Sequence, residues 1–256
     1  MAVPAPTPPG GPDRQPPAPP AAHPRWRIAA LVIAAAAIAA IAFVLVAART
    51  PADGADTQAV SVHADSIRTV VVQDVPGQLT ITGMPGSQVT LTGQLHWTGR
   101  PAAVSVQPRP AGHLLRLVYQ CAAGSPCTAN LRLTVPPRTA IVLYQPAGHV
   151  VLAGLAGALR ITARNADVQA AGLRSPALMA SVTSGHLSAT LLTPPRRVAV
   201  TLRSAQATLR LPATVSYQLS QQVTSGYLRA GIPQASDTTR SISARVASGE
   251  LELLPR

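Results

Sequence analysis

Lysine is missing from the 256 residues, so all 21 strong bases are arginines, set against nine acids for a formal net charge of +12. An arginine-only, Ala- and Pro-rich chain is what a GC-rich coding sequence produces, so the charge alone points only weakly to an anionic partner. Glutamate is confined to Glu250 and Glu252, and Asp74, Asp167 and Asp237 stand far apart in the chain. Paired-carboxylate chemistry of the glycosidase kind is therefore hard to assemble. Phosphate loops, zinc spacings and nucleotide fingerprints are absent, and the stretch before residue 28 is too short for a DNA-binding domain. Aromatic residues are scarce, one Phe, two Trp and four Tyr, so a core must be built from Val, Leu, Ile and Ala. Side chains of that kind suit stacked strands. These absences lead us to expect no enzyme, no cofactor and no metal, and no nucleic-acid partner.

What the chain does have begins with an apolar run. Residues 28–48 carry no charge or amide over 21 positions, which as a helix would span roughly 30 Å, the thickness of a hydrocarbon core. Eleven of these residues are Ala, nearly neutral toward insertion, so the drive comes from Ile28, Leu31, Val32, Ile33, Ile38, Ile41 and the Phe43-Val44-Leu45-Val46 run. Arg25 and Arg27 abut the N-terminal side, whereas Arg49 on the far side is followed by Asp53, Asp56 and Asp65. The positive-inside rule then puts residues 1–27 in the cytoplasm and the rest of the chain outside, with Trp26 at the interface. A cleaved signal peptide competes, since Val46-Ala47-Ala48 offers small residues, but the run exceeds the usual 7–15 residues of such a segment. Residues 1–27 are Pro-rich, ten Pro in the first 24, and read as a disordered or polyproline-like tail. The expected order is tail 1–27, transmembrane helix 28–48, linker 49–65 and an all-β domain 66–256.

That last domain alternates with period two: Leu79-Thr-Ile81, Val89-Thr-Leu91, Leu131-Arg-Leu133, Leu159-Arg-Ile161, Val198-Ala-Val200, Leu209-Arg-Leu211. Each reads as a strand with one buried face. The second half also repeats itself, for Val182-Thr-Ser-Gly185-His-Leu187 returns as Val223-Thr-Ser-Gly226-Tyr-Leu228 and as Val246-Ala-Ser-Gly249-Glu-Leu251. With degenerate copies in the gaps, the small corner residues are Gly148, Ala166, Gly185, Ala205, Gly226 and Gly249, in steps of 18, 19, 20, 21 and 23. Such a period is that of a solenoid. A small residue would take the unusual angles of a sharp bend, and alternate residues would stack in columns, Val150, Val168, Leu187, Ala207, Leu228 and Leu251 forming one. Six coils at about 4.8 Å would stack to roughly 25–30 Å. A β-sandwich with similarly spaced hairpins is the alternative, because residues 66–145 repeat poorly.

Gly77-Gln-Leu79-Thr-Ile81, Leu133-Thr-Val135-Pro136-Pro137, Gly148-His-Val150 and the Ser-Gly-x-Leu copies together resemble the adhesin-like (autotransporter-adhesin-like) domains of bacterial surface proteins. The resemblance covers about residues 70–256. It implies a β-solenoid or β-helix-like fold and a cell-surface setting, and says little about a ligand.

Cys121 and Cys127, with Gly124, Ser125 and Pro126 between them, read as a disulfide in an exported chain; His113 alone cannot complete a metal site. One position past the corner, His149, Asp167, His186, Gln206, Tyr227 and Glu250 share an offset and form an outward, variable file, which reads as a solvated surface row. The function expected is a membrane-anchored, surface-exposed, non-enzymatic adhesin-like interaction module. Its partners would be the membrane, anionic envelope polymers or a surface protein; from Arg49 onward 18 arginines face eight acids. The alternative is an envelope-sensing ectodomain that signals through a partner of the Pro-rich tail.

Overall fold

The computed structural model describes residues 43–52, 55–98, 103–109, 113–121 and 126–256. Among them the chain is all β. The strands are β1 (Phe43–Ala52), β2 (Ala55–Asp65), β3 (Thr69–Gln73), β4 (Gly77–Gly83), β5 (Gln88–Trp97), β6 (Ala103–Arg109), β7 (Leu114–Gln120) and β8 (Cys127–Val135). They continue as β9 (Ala140–Ala153), β10 (Leu159–Leu173), β11 (Ala177–Leu191), β12 (Arg197–Leu211), β13 (Gln218–Val223), β14 (Tyr227–Ala230) and β15 (Ser241–Pro255). All fifteen belong to one mixed, mostly parallel sheet.

Long strands of 14 or 15 residues form its centre, and each is really two half-strands joined by a corner. In β10 the buried positions run Leu159, Ile161 and Ala163, then jump phase to Ala166, Val168 and Ala170. A phase jump in a period-two pattern means that the chain turns while keeping its apolar side inward. Successive strands repeat this in register. Ile141, Leu159, Leu178, Val198 and Ile242 line up through β9, β10, β11, β12 and β15, as do Val150, Val168, Leu187, Ala207 and Leu251 beyond the corner. All ten side chains are buried in one core. Each large aliphatic among them stabilises the fold by about 1.5–3 kcal/mol through burial.

The corners are also in register, Gly148 beside Ala166, Ala166 beside Gly185, Gly185 beside Ala205 and Ala205 beside Gly249. Gly148, Gly185 and Gly249 take positive φ, at 109°, 104° and 115°, and the alanines between them do not. A Cβ on Gly185 would lie 2.3 Å from the Ala166 carbonyl oxygen, and one on Gly249 2.0 Å from that of Ala205. Glycine is needed at these two corners both for the backbone angle and for the approach of the neighbouring strand. Gly226 has no positive φ but is equally close to its neighbour, its notional Cβ 2.1 Å from the Gly249 carbonyl oxygen.

The order of stacking departs from chain order at both ends. The copy at 226 was expected between those at 205 and 249. Instead β15 pairs directly with β12, and β13 and β14 pair with its other side, so the strand carrying Leu228 is outermost. Composition explains the exchange: β15 brings Ile242, Ala244, Val246, Leu251 and Leu253 to the core, whereas β13 reads Gln-Leu-Ser-Gln-Gln-Val and is mostly exposed. A polar, short outer strand caps a stack and discourages further pairing. Buried Tyr217 holds the crossing segments together, its hydroxyl donating to the Pro212 carbonyl at 3.1 Å. Its amide donates to Pro233 O and its carbonyl accepts from Ala235 N.

The same device recurs at the other end. β3 and β4 pair with the two halves of β9, while β7 and β8, later in the chain, lie outside them. Antiparallel β6 covers β7, and β5, β2 and β1 follow beyond β8. This is why residues 66–145 repeat poorly in sequence: they hold two pairs of parallel strands in inverted order plus antiparallel strands. In this part Gln145 occupies a column that is otherwise Ala163, Val182, Leu202 and Val246, and its amide nitrogen donates to the carbonyls of Val75 and Ala147.

Residues 28–42 of the expected transmembrane helix lie outside the described residues, as does the tail 1–27. Its remaining part, 43–48, is strand in β1, and of the stretch expected as a linker, 49–65, residues 49–52 are strand in β1 and 55–65 are strand in β2. A short run rich in Val, Leu and Phe satisfies a strand as well as a helix, and periodicity alone does not separate the two. No helix among the described residues is long and apolar enough to cross a membrane.

The inverted order sets a test. Leu251→Asp should prevent cooperative folding, since it buries a lone charge between two coils, whereas Leu228→Asp, half-buried in the outer coil, should cost only about 1–2 kcal/mol. Denaturant titration followed by circular dichroism reads both. Equal losses would mean that the two coils are not inner and outer.

Candidate functional site

Outward residues of the stack fall on two surfaces, one from the half-strands before the corner and one from those after it. Register assigns every residue to a file. After the corner the file is Gln78, His149, Asp167, His186, Gln206, Glu250 and Tyr227, in that spatial order. Glu250 therefore stands between Gln206 and Tyr227, a consequence of the inserted β15. His186 Nδ1 lies 3.1 Å from Asp167 Oδ1, with both side chains more than half exposed. Tyr227 donates its hydroxyl to Glu250 Oε1. That bond favours the neutral phenol and pushes the Tyr227 pKa above its ordinary value, helped by Glu252 and opposed by Arg229. Among the described residues no group of three His, Cys, Asp or Glu side chains is placed to hold a metal ion.

Cys121 and Cys127 are joined in a disulfide, with Cα atoms 5.9 Å apart. It links the residue that follows β7 to the first residue of β8. Buried Tyr119 donates to the Thr128 carbonyl nearby at 3.2 Å, and burial raises its pKa. A loop this short contributes roughly 2 kcal/mol by restricting the unfolded chain.

The surface before the corner is different in charge. Arg116, Arg160, Arg164, Arg197, Arg203 and Arg245 belong to these half-strands, and no Asp or Glu does. The surface beyond the corner mixes Arg132, Arg210 and Arg229 with Asp167, Glu250 and Glu252. Among the described residues no arginine lies within ion-pair distance of a carboxylate. Arg116 instead donates through Nε and Nη2 to Gln73 Oε1, at 2.8 and 2.6 Å.

Three shallow depressions mark this arginine surface. One of about 260 Å3 is lined by Gln73, Asp74, Tyr144, Pro146, Thr162 and Arg164. The next, about 220 Å3, is lined by Arg160, Thr162, Met179, Ser181, Ala199 and Thr201. A third, about 390 Å3, lies against Thr201, Arg203, Gln222, Thr224 and Arg245. Thr162 belongs to the first two and Thr201 to the last two, so the three lie in a row across the strands, a segmented trough. Its floor is the file Tyr144, Thr162, Ser181, Thr201, Arg245 and Gln222. Neither the trough nor the charge separation was anticipated from the sequence. Both emerge only when the register places Thr162, Ser181 and Thr201 side by side.

In structure the chain is similar to a candidate cell adhesion protein from Clostridium sporogenes, at TM-score 0.41 and 10% identity, over 77% of this chain and 99% of that one. It is similar also to candidate adhesins from Bacteroides fragilis (TM-score 0.39, 12% identity, 80% and 99% covered) and Parabacteroides distasonis (0.35, 12%, 79% and 98%). No family model matches the chain, and no curated protein matches it in sequence. At these identities and scores the functional reading rests on the chain's own residues.

Replacing Glu250 by Gln removes the acceptor charge from Tyr227, so its phenolate should appear at lower pH than in the wild type. Ultraviolet titration of the tyrosines measures this. An unchanged Tyr227 titration would dissociate the pair.

Proposed function

We propose that the chain is a membrane-anchored, surface-exposed, non-enzymatic interaction module of adhesin-like, β-solenoid architecture. The observation that carries this reading is the arginine surface before the corner, whose half-strands hold no carboxylate. Successive register partners 18, 19 and 20 residues apart, at Ile141, Leu159, Leu178 and Val198, support the winding of one coil per repeat. Support for a non-enzymatic role comes from what catalysis requires. A hydrolase needs an acid, a base and a site for the reacting atom in one enclosed place, whereas the His186 and Asp167 pair is solvated.

Anchoring is supported by the apolar residues 28–48 and by the charge asymmetry across them, Arg25 and Arg27 before the run against Arg49 followed by Asp53, Asp56 and Asp65 after it. The strand β1 takes up 43–48, and the two states are alternatives set by the surroundings. In a bilayer an edge strand would leave a row of backbone groups without partners, so an inserted segment becomes helical. With the N-terminal side cytoplasmic, the domain lies outside the membrane. Its partners there would be anionic envelope polymers or a surface protein. The sensing alternative requires that residues 1–27 recruit an effector through their Pro runs.

Localisation is the deciding experiment. Membrane fractionation of cells carrying a C-terminally tagged chain should recover an uncleaved species whose tag is removed by external protease. A mature N-terminus after Ala48 would replace the anchor by a signal peptide, and a protected tag would overturn the surface reading. Capture of one cytoplasmic protein by the tail would favour the sensing alternative.

A further inference from the structure

We propose that the trough before the corner binds a linear acidic polysaccharide, laid across the strands, whose charged groups recur on alternate sugar units. The proposal deepens the surface-module reading and rests on it.

Charge and shape point the same way. Arg160, Arg164, Arg203 and Arg245 line the trough, all four are exposed, and their own half-strands carry no acid. Asp74 is the only carboxylate in the lining, and it sits at one end, in the first depression. A site open along its length, five strand spacings from β9 to β13 or about 24 Å, suits an extended polymer better than a compact ligand. A flat bilayer surface would meet protruding cations rather than the concave floor between them.

The floor decides among polyanions. Thr162, Ser181 and Thr201 offer hydroxyl groups that both donate and accept, at the strand spacing, and Tyr144 presents a partly exposed ring at one end. Sugar hydroxyls and the apolar face of a pyranose match those groups. A plain phosphate or carboxylate polymer would use the arginines and leave the hydroxyls idle. Single-stranded nucleic acid would need several stacking aromatics, and the trough has one.

Spacing refines the class. Arg164 and Arg203 occupy one register position, since Ala163 and Leu202 are aligned through Val182, and exposed Thr183 stands between them. The two guanidinium-bearing positions are thus two strands apart, about 10 Å. That is close to the advance of an extended glycan over one disaccharide, so the charges of two successive disaccharides would each meet an arginine.

The test uses the full chain in detergent with three probes: hyaluronan oligosaccharides, which carry a carboxylate on alternate sugars, neutral dextran, and polyglutamate of matched charge. Hyaluronan should bind, more weakly as salt rises, because exposed charge pairs are screened within about 8 Å at physiological ionic strength. The double variant Arg164→Gln/Arg203→Gln should lose at least about tenfold in affinity, while Arg210→Gln/Arg229→Gln on the other surface should change it less than about twofold. Thr201→Val should weaken hyaluronan without affecting any residual polyglutamate binding. Equal losses from the two double variants, equal binding of dextran, or polyglutamate binding as tightly as hyaluronan would overturn the proposal. Failure here with the tag still accessible outside the cell removes the polysaccharide and leaves the surface module. A tag protected from external protease removes the module itself.

Discussion

Parallel pairing between equivalent half-strands is the constraint on which the rest of this structure depends. Each strand can satisfy its backbone only through its neighbours, and each can bury its apolar side chains only if they meet the same positions on the next strand. Leu159 beside Leu178, and Val168 beside Leu187, meet both demands at once. A slip of one residue would turn every inward side chain to solvent, so the register is strongly fixed. The corners obey the same rule. Gly185 and Gly249 are glycine because a neighbouring carbonyl passes where a side chain would stand.

A fixed register has a second effect, on the surface. Side chains that are about twenty residues apart in the chain become immediate neighbours, so weak compositional tendencies turn into files. Thr162, Ser181 and Thr201 mean little in sequence and form a continuous hydroxyl floor in the stack. Arginines that a GC-rich coding sequence would scatter are here sorted: the half-strands before the corner hold them without acids, and those after it balance the two signs. Composition accounts for how many arginines there are. It does not account for where the carboxylates are missing.

How much of this was legible beforehand varies along the chain. The pairing of the central strands was, because Val182-Thr-Ser-Gly185 and its copies repeat the same inward positions at a nearly constant step. Their order at the ends was not, since a local pattern states that a segment can stack but not which neighbour it stacks on. The information was partly present in the polar Gln218-Leu-Ser-Gln-Gln222 segment, which is poorly suited to an inner place. At the other end, β5, β6, β7 and β8 interrupt the repeat before β9 resumes it, and no period survives that detour. The apolar run at 43–48 suited two states, and only pairing with β2 distinguishes the strand. The trough was invisible for a different reason: it is a property of adjacency between coils.

The inner place of β15 bears on how the chain reaches its native state. β13 and β14 are synthesised before the strand that seats them, so the outer coil has no inner partner until β15 arrives to slot between it and β12. Contacts of this kind close late and over long separations, which makes assembly at this end slow and leaves half-covered strand edges open to wrong partners in the meantime. Any chain that must cross a membrane before folding meets this interval on the far side, with β12 as an unfinished edge. The exposed hydrogen-bonding row of β12 is then the surface that a folding helper at that site would have to shield.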